Sequence, residues 1–303
     1  VLERWGLSYD EMRQARPDIV CMALSGYGQA GPYQSYASHF HMAQALPGFT
    51  SLSGYEGDVP VVAGASGDTT SGLHAAVAVL SALERRRMTG QGQYIDASQL
   101  TSMASVMGSA YLEYTANGHE PRPSGNRLPH TSPIVEGSFR CKGEDRWVAI
   151  GVYTEEEWLR FCDVIVRRDL PNNPKFAVGR DRGENWRDLE AEVEKWTRTA
   201  TAEEAMTALQ NAGIGATVVE NVQDLMERDD QLAHRGYYVD AWHPDRDVGT
   251  LRMDGIVPKF SDTPGEVRRA APAIGEHNEY VFGEVLGLSS KRLRELQEAG
   301  VFF

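Results

Sequence analysis

One acidic residue in this sequence stands where it could do chemistry. Asp68 lies in the segment Gly67-Asp-Thr-Thr-Ser-Gly72, just before the almost wholly apolar run from Leu73 to Leu83. That run predicts a helix buried on nearly all sides, with Asp68 as the residue that caps its start. The helix dipole favours a negative charge there. Asp68 is therefore either a structural cap or a nucleophile.

The two glycines that flank Asp68 favour the second interpretation. Gly67 and Gly72 carry no side chain, so a substrate can approach the backbone on either side of the carboxylate. Capping alone requires neither glycine. We therefore expect Gly67 to contact a ligand, although the segment by itself leaves both roles of Asp68 open.

A second glycine-rich segment follows a predicted strand. Residues 19–25 form an apolar run of strand length, which is typical of a strand buried on both faces. Gly26, Gly28 and Gly31 come next and formally match a dinucleotide-binding pattern, but Pro32 follows where that pattern requires a helix. The sequence instead predicts a loop at the carboxyl end of a strand, where α/β proteins bind ligands. Its backbone N–H groups could face a developing oxyanion.

Two histidines near this loop do not predict a metal site. His39 and His41 fall in a predicted short helix over 39–47, where residues two apart face different directions. The pattern supplies no evident third ligand, so no metal is expected.

Net charge, cysteine spacing and the length of apolar segments exclude several classes of protein. The 303 residues carry a net charge of −13, which argues against a nucleic-acid-binding surface. The three cysteines are far apart and form no CxxC pair, so neither a disulfide framework nor a zinc site is predicted, and a reducing cytoplasm fits. The first residues are no signal peptide, and the apolar run after Asp68 is too short to cross a membrane.

Local patterns predict several further elements. Capping boxes beginning at Ser8, Thr154 and Thr201 each predict the start of a helix, and Asn221 is placed to cap another. A short strand over 60–65 is predicted to lead into the segment that carries Asp68.

Four segments together are similar to one known family. Ser25–Tyr33, Gln44–Gly54, Gly67–Gly72 and Arg87–Asp96 resemble the class III CoA-transferases, a family that includes formyl-CoA transferase and carnitine CoA-transferase and has alpha-methylacyl-CoA racemase among its relatives. The resemblance extends over essentially the whole chain. Its most specific part runs from Gly67 to Asp96, where order, spacing and residue types all agree.

The resemblance implies an α/β fold with a Rossmann-like large domain and a smaller α+β domain, in the interlocked-dimer architecture of that family. Together with the Gly-, Pro- and Asn-rich stretch, it predicts a large domain at 1–116 and 261–303, a linker at 117–133, a small domain at 134–235 and a β-rich return connection at 236–260. Family members begin with a βαβ segment that supplies much of the CoA pocket. The large domain is therefore expected to lack its N-terminal part here.

The resemblance also implies a mechanism and partners. The nucleophilic aspartate of the transferases falls on Asp68, which would attack an acyl-CoA thioester to give an aspartyl mixed anhydride and then an aspartyl-CoA thioester. Coenzyme A is a substrate in this chemistry, and no permanently bound cofactor is expected. The implied partners are acyl-CoA, a carboxylic acid and a second copy of the chain, with no nucleic acid and no membrane.

Two alternatives stay open. The racemase relatives use a histidine and an aspartate as opposed acid and base, and these positions fall on or next to His39 and on Asp68. Phe40, however, stands where that branch has an aspartate. The second alternative is a truncated chain that dimerises and has no activity.

Overall fold

The computed structural model of the protein describes residues 2–62, 64, 66–125, 134–245 and 247–302. The predicted α/β class is confirmed. The chain divides into two compact units, Val1–Thr217 and Val218–Phe303. The predicted domain boundaries differ from this division and stay a prediction, and residues 126–133 of the predicted linker lie outside the described residues.

The first unit contains most of the regular elements. Its strands are β1 (Val20–Ser25), β2 (Gln93–Ser98), β3 (Val135–Arg140), β4 (Trp147–Val152) and β5 (Gly215–Val218), which ends at the boundary with the second unit. Its α-helices are α1 (Tyr9–Ala15), α2 (Phe40–Ala45), α3 (Ser66–Thr89), α4 (Gln99–Ser105), α5 (Gly108–Asn117), α6 (Glu155–Val164), α7 (Gly179–Glu184), α8 (Trp186–Thr197) and α9 (Ala202–Asn211). Short 3-10 helices lie at Leu2–Trp5, Thr50–Leu52 and Leu170–Asn172.

The second unit is smaller. It contains α10 (Val222–Glu227), α11 (Asp230–Arg235), the antiparallel strands β6 (Tyr238–Trp242) and β7 (Thr250–Asp254), a π-helical segment at Glu279–Val285, and α12 (Ser290–Glu298). Both strands fall within the stretch that the sequence predicts to be rich in β structure.

Local capping signals act as the sequence predicts. Ser8, Thr154 and Thr201 precede α1, α6 and α9, and each forms a complete capping box with the glutamate three residues further on. Asn221 forms the same arrangement with Asp224 at the start of α10. Each box satisfies two backbone N–H groups that a helix start otherwise leaves unpaired, so a four-residue motif is enough to position these helices.

The first unit brings together two strands that lie far apart in sequence. β1 and β2 run parallel, from Val20 opposite Gln93 to Ser25 opposite Ser98. Parallel strands need a crossover connection, which here contains α2 and α3. Both strands therefore end at the same edge of the sheet, where the loop after Ser25 meets the start of α4.

The helix α3 packs differently from its sequence-based prediction. Its buried residues are small and lie on one face: Gly67, Ser71, Ala75 and Ala82. Three large apolar residues of the same helix lie outside this buried face: Leu73, Val77 and Leu80 are 66%, 65% and 66% exposed. The expectation of burial on nearly all sides is therefore wrong, because the small side chains, not the large ones, let α3 approach its neighbours closely.

Two strand predictions also need correction. β1 is half-buried and Leu24 is exposed, because in the described residues its sheet has only two strands. The predicted strand over 60–65 does not form at residues 60–62, and Ala63 and Ala65 lie outside the described residues. Pro60 donates no backbone hydrogen bond, and the Val61 N–H donates to the carbonyl of Ser53, eight residues earlier, at 3.5 Å.

A second sheet, in the order β3–β4–β5, carries the larger apolar core of the first unit. β3 and β4 are antiparallel, with Val135 opposite Val152. Helices α6 and α8 contribute the fully buried side chains Trp158, Phe161 and Val193. All three cysteines of the chain are free thiols.

The close approach of the chain just before β1 and β2 requires glycine at position 92, and substitution can test this requirement. A Cβ added there would lie 1.9 Å from the carbonyl oxygen of Ile19, a backbone atom, whereas a Cβ added at Gly72 in α3 meets nothing within 4 Å. Gly92→Ala should destabilise the fold by about 3 kcal/mol. Gly72→Ala should instead stabilise it by about 0.5–1 kcal/mol. Urea unfolding measures both changes, and equal midpoints for the two variants would contradict the close approach.

Burial should also protect one thiol from alkylation. Removal from water raises the pKa of Cys162 to about 12 and also raises the pKa of Cys141. The thiolate is the reactive form, so iodoacetamide at about pH 8 should leave Cys162 unmodified in the folded protein and label it in urea. Peptide mass mapping under both conditions tests this. Equal labelling rates at Cys162 would show that the thiol is not buried.

Candidate active site

The Asp68 carboxylate lies in the first turn of α3 and is exposed. Because α3 begins at Ser66, two residues earlier, the prediction that Asp68 is the N-cap is wrong. The first turn is still a position where the helix dipole favours a negative charge. The carboxylate therefore has less of a capping role than the sequence suggested and is open to solvent and ligands.

The backbone that carries Asp68 is held from the buried side of α3. The Ser71 hydroxyl, fully buried, donates to the carbonyl oxygens of Gly67 at 2.6 Å and Asp68 at 3.1 Å. A Cβ added at Gly67 would lie 3.3 Å from the Cβ of Ala43 in α2. Gly67 therefore lets α3 pack against α2, which explains this glycine without a ligand. Gly72, by contrast, faces open space.

Sequence reasoning missed the side chain that contacts Asp68. Gln99, the first residue of α4, donates a hydrogen bond from Nε2 to Oδ1 of Asp68 at 2.5 Å. Within the described ranges, Oδ2 of Asp68 has no hydrogen-bond partner. Its position in the sequence could have indicated Gln99 as a site residue, because it directly follows the carboxyl end of a strand, where α/β proteins bind their ligands.

The loop that begins at Gly26 is anchored beside Gln99. The Gly26 carbonyl accepts hydrogen bonds from the Leu100 N–H at 2.9 Å and from the Ser98 hydroxyl at 3.3 Å. A Cβ added at Gly26 would lie 2.1 Å from the Cβ of Ser38, so only glycine fits there. The predicted loop segment and Asp68 thus lie at the same edge of the sheet.

Two backbone N–H groups of the loop that was predicted to bind an oxyanion already have hydrogen-bond partners within the protein. The Gly28 N–H donates to the Ser25 hydroxyl at 3.1 Å. The Gln29 N–H donates to the Asp96 carboxylate, at 3.0 Å to Oδ1 and 3.1 Å to Oδ2. These two N–H groups hold the loop conformation and are not directed at a ligand. At Gly31, in contrast, a side chain would meet nothing within 4 Å.

Three tyrosines form an aromatic cluster on and after the loop. The ring centroids of Tyr27 and Tyr33 are 5.9 Å apart, those of Tyr33 and Tyr36 are 5.0 Å apart, and those of Tyr27 and Tyr36 are 6.4 Å apart. Tyr33 and Tyr36 are exposed. The cluster gives the loop an apolar surface with hydroxyl groups, a combination that suits amphipathic ligands.

The predicted partner histidine is not paired with Asp68. His39 occupies the N-cap of α2, is exposed and makes no side-chain capping bond. No hydrogen bond joins His39 to Asp68 in the part of the chain that the structure describes. Over the same residues, no three His, Cys, Asp or Glu side chains converge on a possible metal position, and no helix is both long and apolar enough to cross a bilayer.

The arrangement is suited to nucleophilic chemistry at a carboxylate. One oxygen of Asp68 is held by a neutral amide, and the other is unpaired in the described residues and exposed. A carboxylate in this state can attack an electrophilic carbonyl carbon and form a covalent intermediate. Gln99 does not titrate, so it can donate a hydrogen bond to Asp68 but cannot exchange a proton with it.

The sequence and the fold are similar to those of known proteins. Residues 1–278 match the family model described as CoA-transferase family III. A succinyl-CoA–D-citramalate CoA-transferase of Chloroflexus aurantiacus is 30% identical over 297 residues, covering 98% of this chain and 72% of that protein. A formyl-CoA:oxalate CoA-transferase of Rhodopseudomonas palustris is 30% identical over 320 residues, covering 99% and 74%. Among solved structures, a CAIB/BAIF family protein from Brucella suis aligns with a TM-score of 0.82 and 25% identity, covering 94% of this chain and 72% of its own.

The contact between Asp96 and the loop can be tested by hydrogen exchange. Asp96→Ala removes both acceptors of the Gln29 N–H. A hydrogen bond to a charged group contributes about 1.5–3 kcal/mol, so the protection of this amide should fall roughly tenfold to a hundredfold. Asp58→Ala, at an exposed aspartate elsewhere in the first unit, is the matched control. Unchanged exchange at Gln29 in the Asp96 variant would contradict the anchoring role.

Proposed function

Because this chain belongs to CoA-transferase family III and is an enzyme of that family, we propose that it transfers coenzyme A from an acyl-CoA donor to a carboxylic acid acceptor, with Asp68 as the nucleophile. The observation that carries this proposal is the exposed Asp68 carboxylate, held at one oxygen by Gln99 and unpaired at the other within the described residues.

The proposed reaction begins at the unpaired oxygen. Oδ2 of Asp68 forms a bond to the thioester carbonyl carbon of the donor, the carbon–sulfur bond breaks, and coenzyme A leaves as a thiolate. The product is a mixed anhydride between Asp68 and the donor acyl group. The thiolate then bonds to Cγ of Asp68, and the donor acid leaves as a carboxylate that carries Oδ2.

The second half of the reaction repeats these steps in reverse order. A carboxylate oxygen of the acceptor bonds to Cγ of the aspartyl-CoA thioester, and the thiolate is expelled again. It then attacks the acyl carbon of the acceptor in the new anhydride. The acceptor leaves as its CoA thioester, and Asp68 is restored as a carboxylate, with no net gain or loss of protons.

The names of the relatives suggest a substrate class. They transfer coenzyme A between succinyl-CoA and D-citramalate, and between formyl-CoA and oxalate. We extend to this chain the shared chemistry, which is a CoA thioester as donor and a small carboxylic acid as acceptor. Coenzyme A is then a substrate, and the proposal includes no resident cofactor.

The proposed assembly is the interlocked homodimer of two copies, in the cytoplasm. The large apolar residues Leu73, Val77 and Leu80 on the open face of α3 support an assembly that covers this face. Light scattering after size-exclusion chromatography distinguishes a dimer from a monomer.

Replacement of Asp68 by asparagine tests the nucleophile. The asparagine side chain keeps a carbonyl oxygen that can accept the Gln99 hydrogen bond, so the fold should be retained and the thermal midpoint should stay within about 2 °C. An amide cannot form the anhydride, so kcat should fall by about three orders of magnitude or more. The measurements are CoA-transfer kinetics with succinyl-CoA and formyl-CoA as donors and dicarboxylic acids as acceptors.

Asp10→Asn provides the control for this experiment, because Asp10 also lies exposed in the first turn of a helix. It should leave kcat unchanged. A folded Asp68→Asn variant with normal turnover would end the nucleophile proposal. Exchange of an α-proton of the acyl group with solvent deuterium, without CoA transfer, would instead identify a racemase.

A further inference from the structure

We propose that Gln99 is a catalytic residue that stabilises the oxyanions formed on Asp68 itself, as distinct from the oxyanion formed on the substrate. This inference rests on the proposed function of Asp68 as the nucleophile. It gives the second carboxylate oxygen, Oδ1, a defined role: this atom carries the negative charge when a nucleophile adds to Cγ of Asp68.

The contact has a defined donor and acceptor. Nε2 of Gln99 lies 2.5 Å from Oδ1 of Asp68. A carboxylate oxygen only accepts hydrogen bonds, and of the two ends of an amide side chain only the NH₂ group donates. The Gln99 amide N–H therefore points at Oδ1, and Oδ2 is the oxygen that is available to react.

The backbone on both sides of Gln99 is fixed. Ser98, the N-cap of α4, accepts a hydrogen bond from the Thr101 N–H at 3.4 Å and donates its hydroxyl to the Gly26 carbonyl at 3.3 Å. The Leu100 N–H donates to the same carbonyl at 2.9 Å. Gln99 thus begins from a preorganised position, a requirement for a donor that must be in place before charge develops.

The chemistry at Cγ places the negative charge opposite this donor. In the anhydride, Oδ2 is bonded to the acyl carbon and Oδ1 is the carbonyl oxygen on the Asp68 side of the linkage. When the thiolate bonds to Cγ, the carbonyl electron pair moves onto Oδ1. Collapse of this tetrahedral intermediate restores the carbonyl and expels the donor carboxylate with Oδ2.

The same charge appears a second time. When the acceptor carboxylate bonds to Cγ of the aspartyl-CoA thioester, the electron pair again moves onto Oδ1 and returns as the thiolate leaves. In the resting carboxylate the charge is shared by two oxygens, whereas in both intermediates it is concentrated on Oδ1. The Gln99 hydrogen bond is therefore stronger in these states than in the ground state, which is the condition for catalysis.

The first step makes a different demand. Attack of Oδ2 on the donor thioester puts the negative charge on the carbonyl oxygen of the substrate. The Gln99 hydrogen bond goes to Oδ1 of Asp68 and not to this oxygen. Loss of the Gln99 donor should therefore slow the steps at Cγ and spare the attack on the donor. This asymmetry separates a catalytic role from a merely structural one.

The test uses Gln99→Met, which keeps the length of the side chain and removes the donor. Exchange of isotopically labelled free CoA into the acyl-CoA donor, without acceptor, reports the first step, and it should stay within about tenfold of the wild-type rate. Formation of the CoA thioester on Asp68, followed by mass spectrometry, reports attack at Cγ. It should slow roughly a hundredfold to a thousandfold, as should overall turnover.

Two further variants complete the test. Gln91→Met makes the same chemical change at an exposed turn, where the side chain contacts Arg85, and it should leave both rates unchanged. In Gln99→Glu, a protonated carboxyl group can donate to Oδ1 and an ionised one cannot. Its turnover relative to wild type should therefore rise as the pH falls.

The outcomes separate this inference from the proposed function. Absence of any CoA adduct on Asp68 in the wild-type protein would overturn the aspartyl mechanism and this inference with it. If the wild-type protein forms the adduct and Gln99→Met slows label exchange and adduct formation equally, the role assigned to Gln99 is overturned and the aspartyl mechanism still stands. A Gln99→Glu variant without the acid-dependent gain would also overturn the role assigned to Gln99.

Discussion

The parallel pairing of β1 with β2 is the constraint on which the candidate site depends. It brings the ends of two strands to one edge of a sheet, at Ser25 and Ser98. The Gly26 carbonyl then accepts hydrogen bonds from the residues on both sides of Gln99, and Gln99 contacts Asp68. Without this pairing, no local interaction would bring the loop, the amide and the carboxylate together.

The prediction from sequence succeeded where the determining interaction is local. The capping boxes at Ser8, Thr154 and Thr201 formed because each is completed within four residues. The α/β class and the family were recognisable because glycine, aspartate and turn residues recur in a specific order between Gly67 and Asp96. The same segment indicated Asp68 as the candidate nucleophile.

The prediction failed where packing between distant segments decides. The apolar run in α3 was expected to be buried, but Gly67, Ser71 and Ala75 form the buried face. At Gly67 the absence of a side chain permits close contact with Ala43 of α2. Gln99 was missed because its importance comes from Asp68, which lies on another element. The role of His39, which only the resemblance to the racemase relatives implies, stays a prediction.

The same strand pairing has a consequence for how the protein folds. β1 and β2 pair with a long stretch of chain between them, so their association closes a large loop and comes with a high entropic cost. Contacts of this kind slow folding, while helices such as α3 can form early from local interactions. Asp68 and Gln99 would then meet only late in folding. A substitution that delays strand pairing should lower the yield of active molecules after refolding even where the final structure is unchanged.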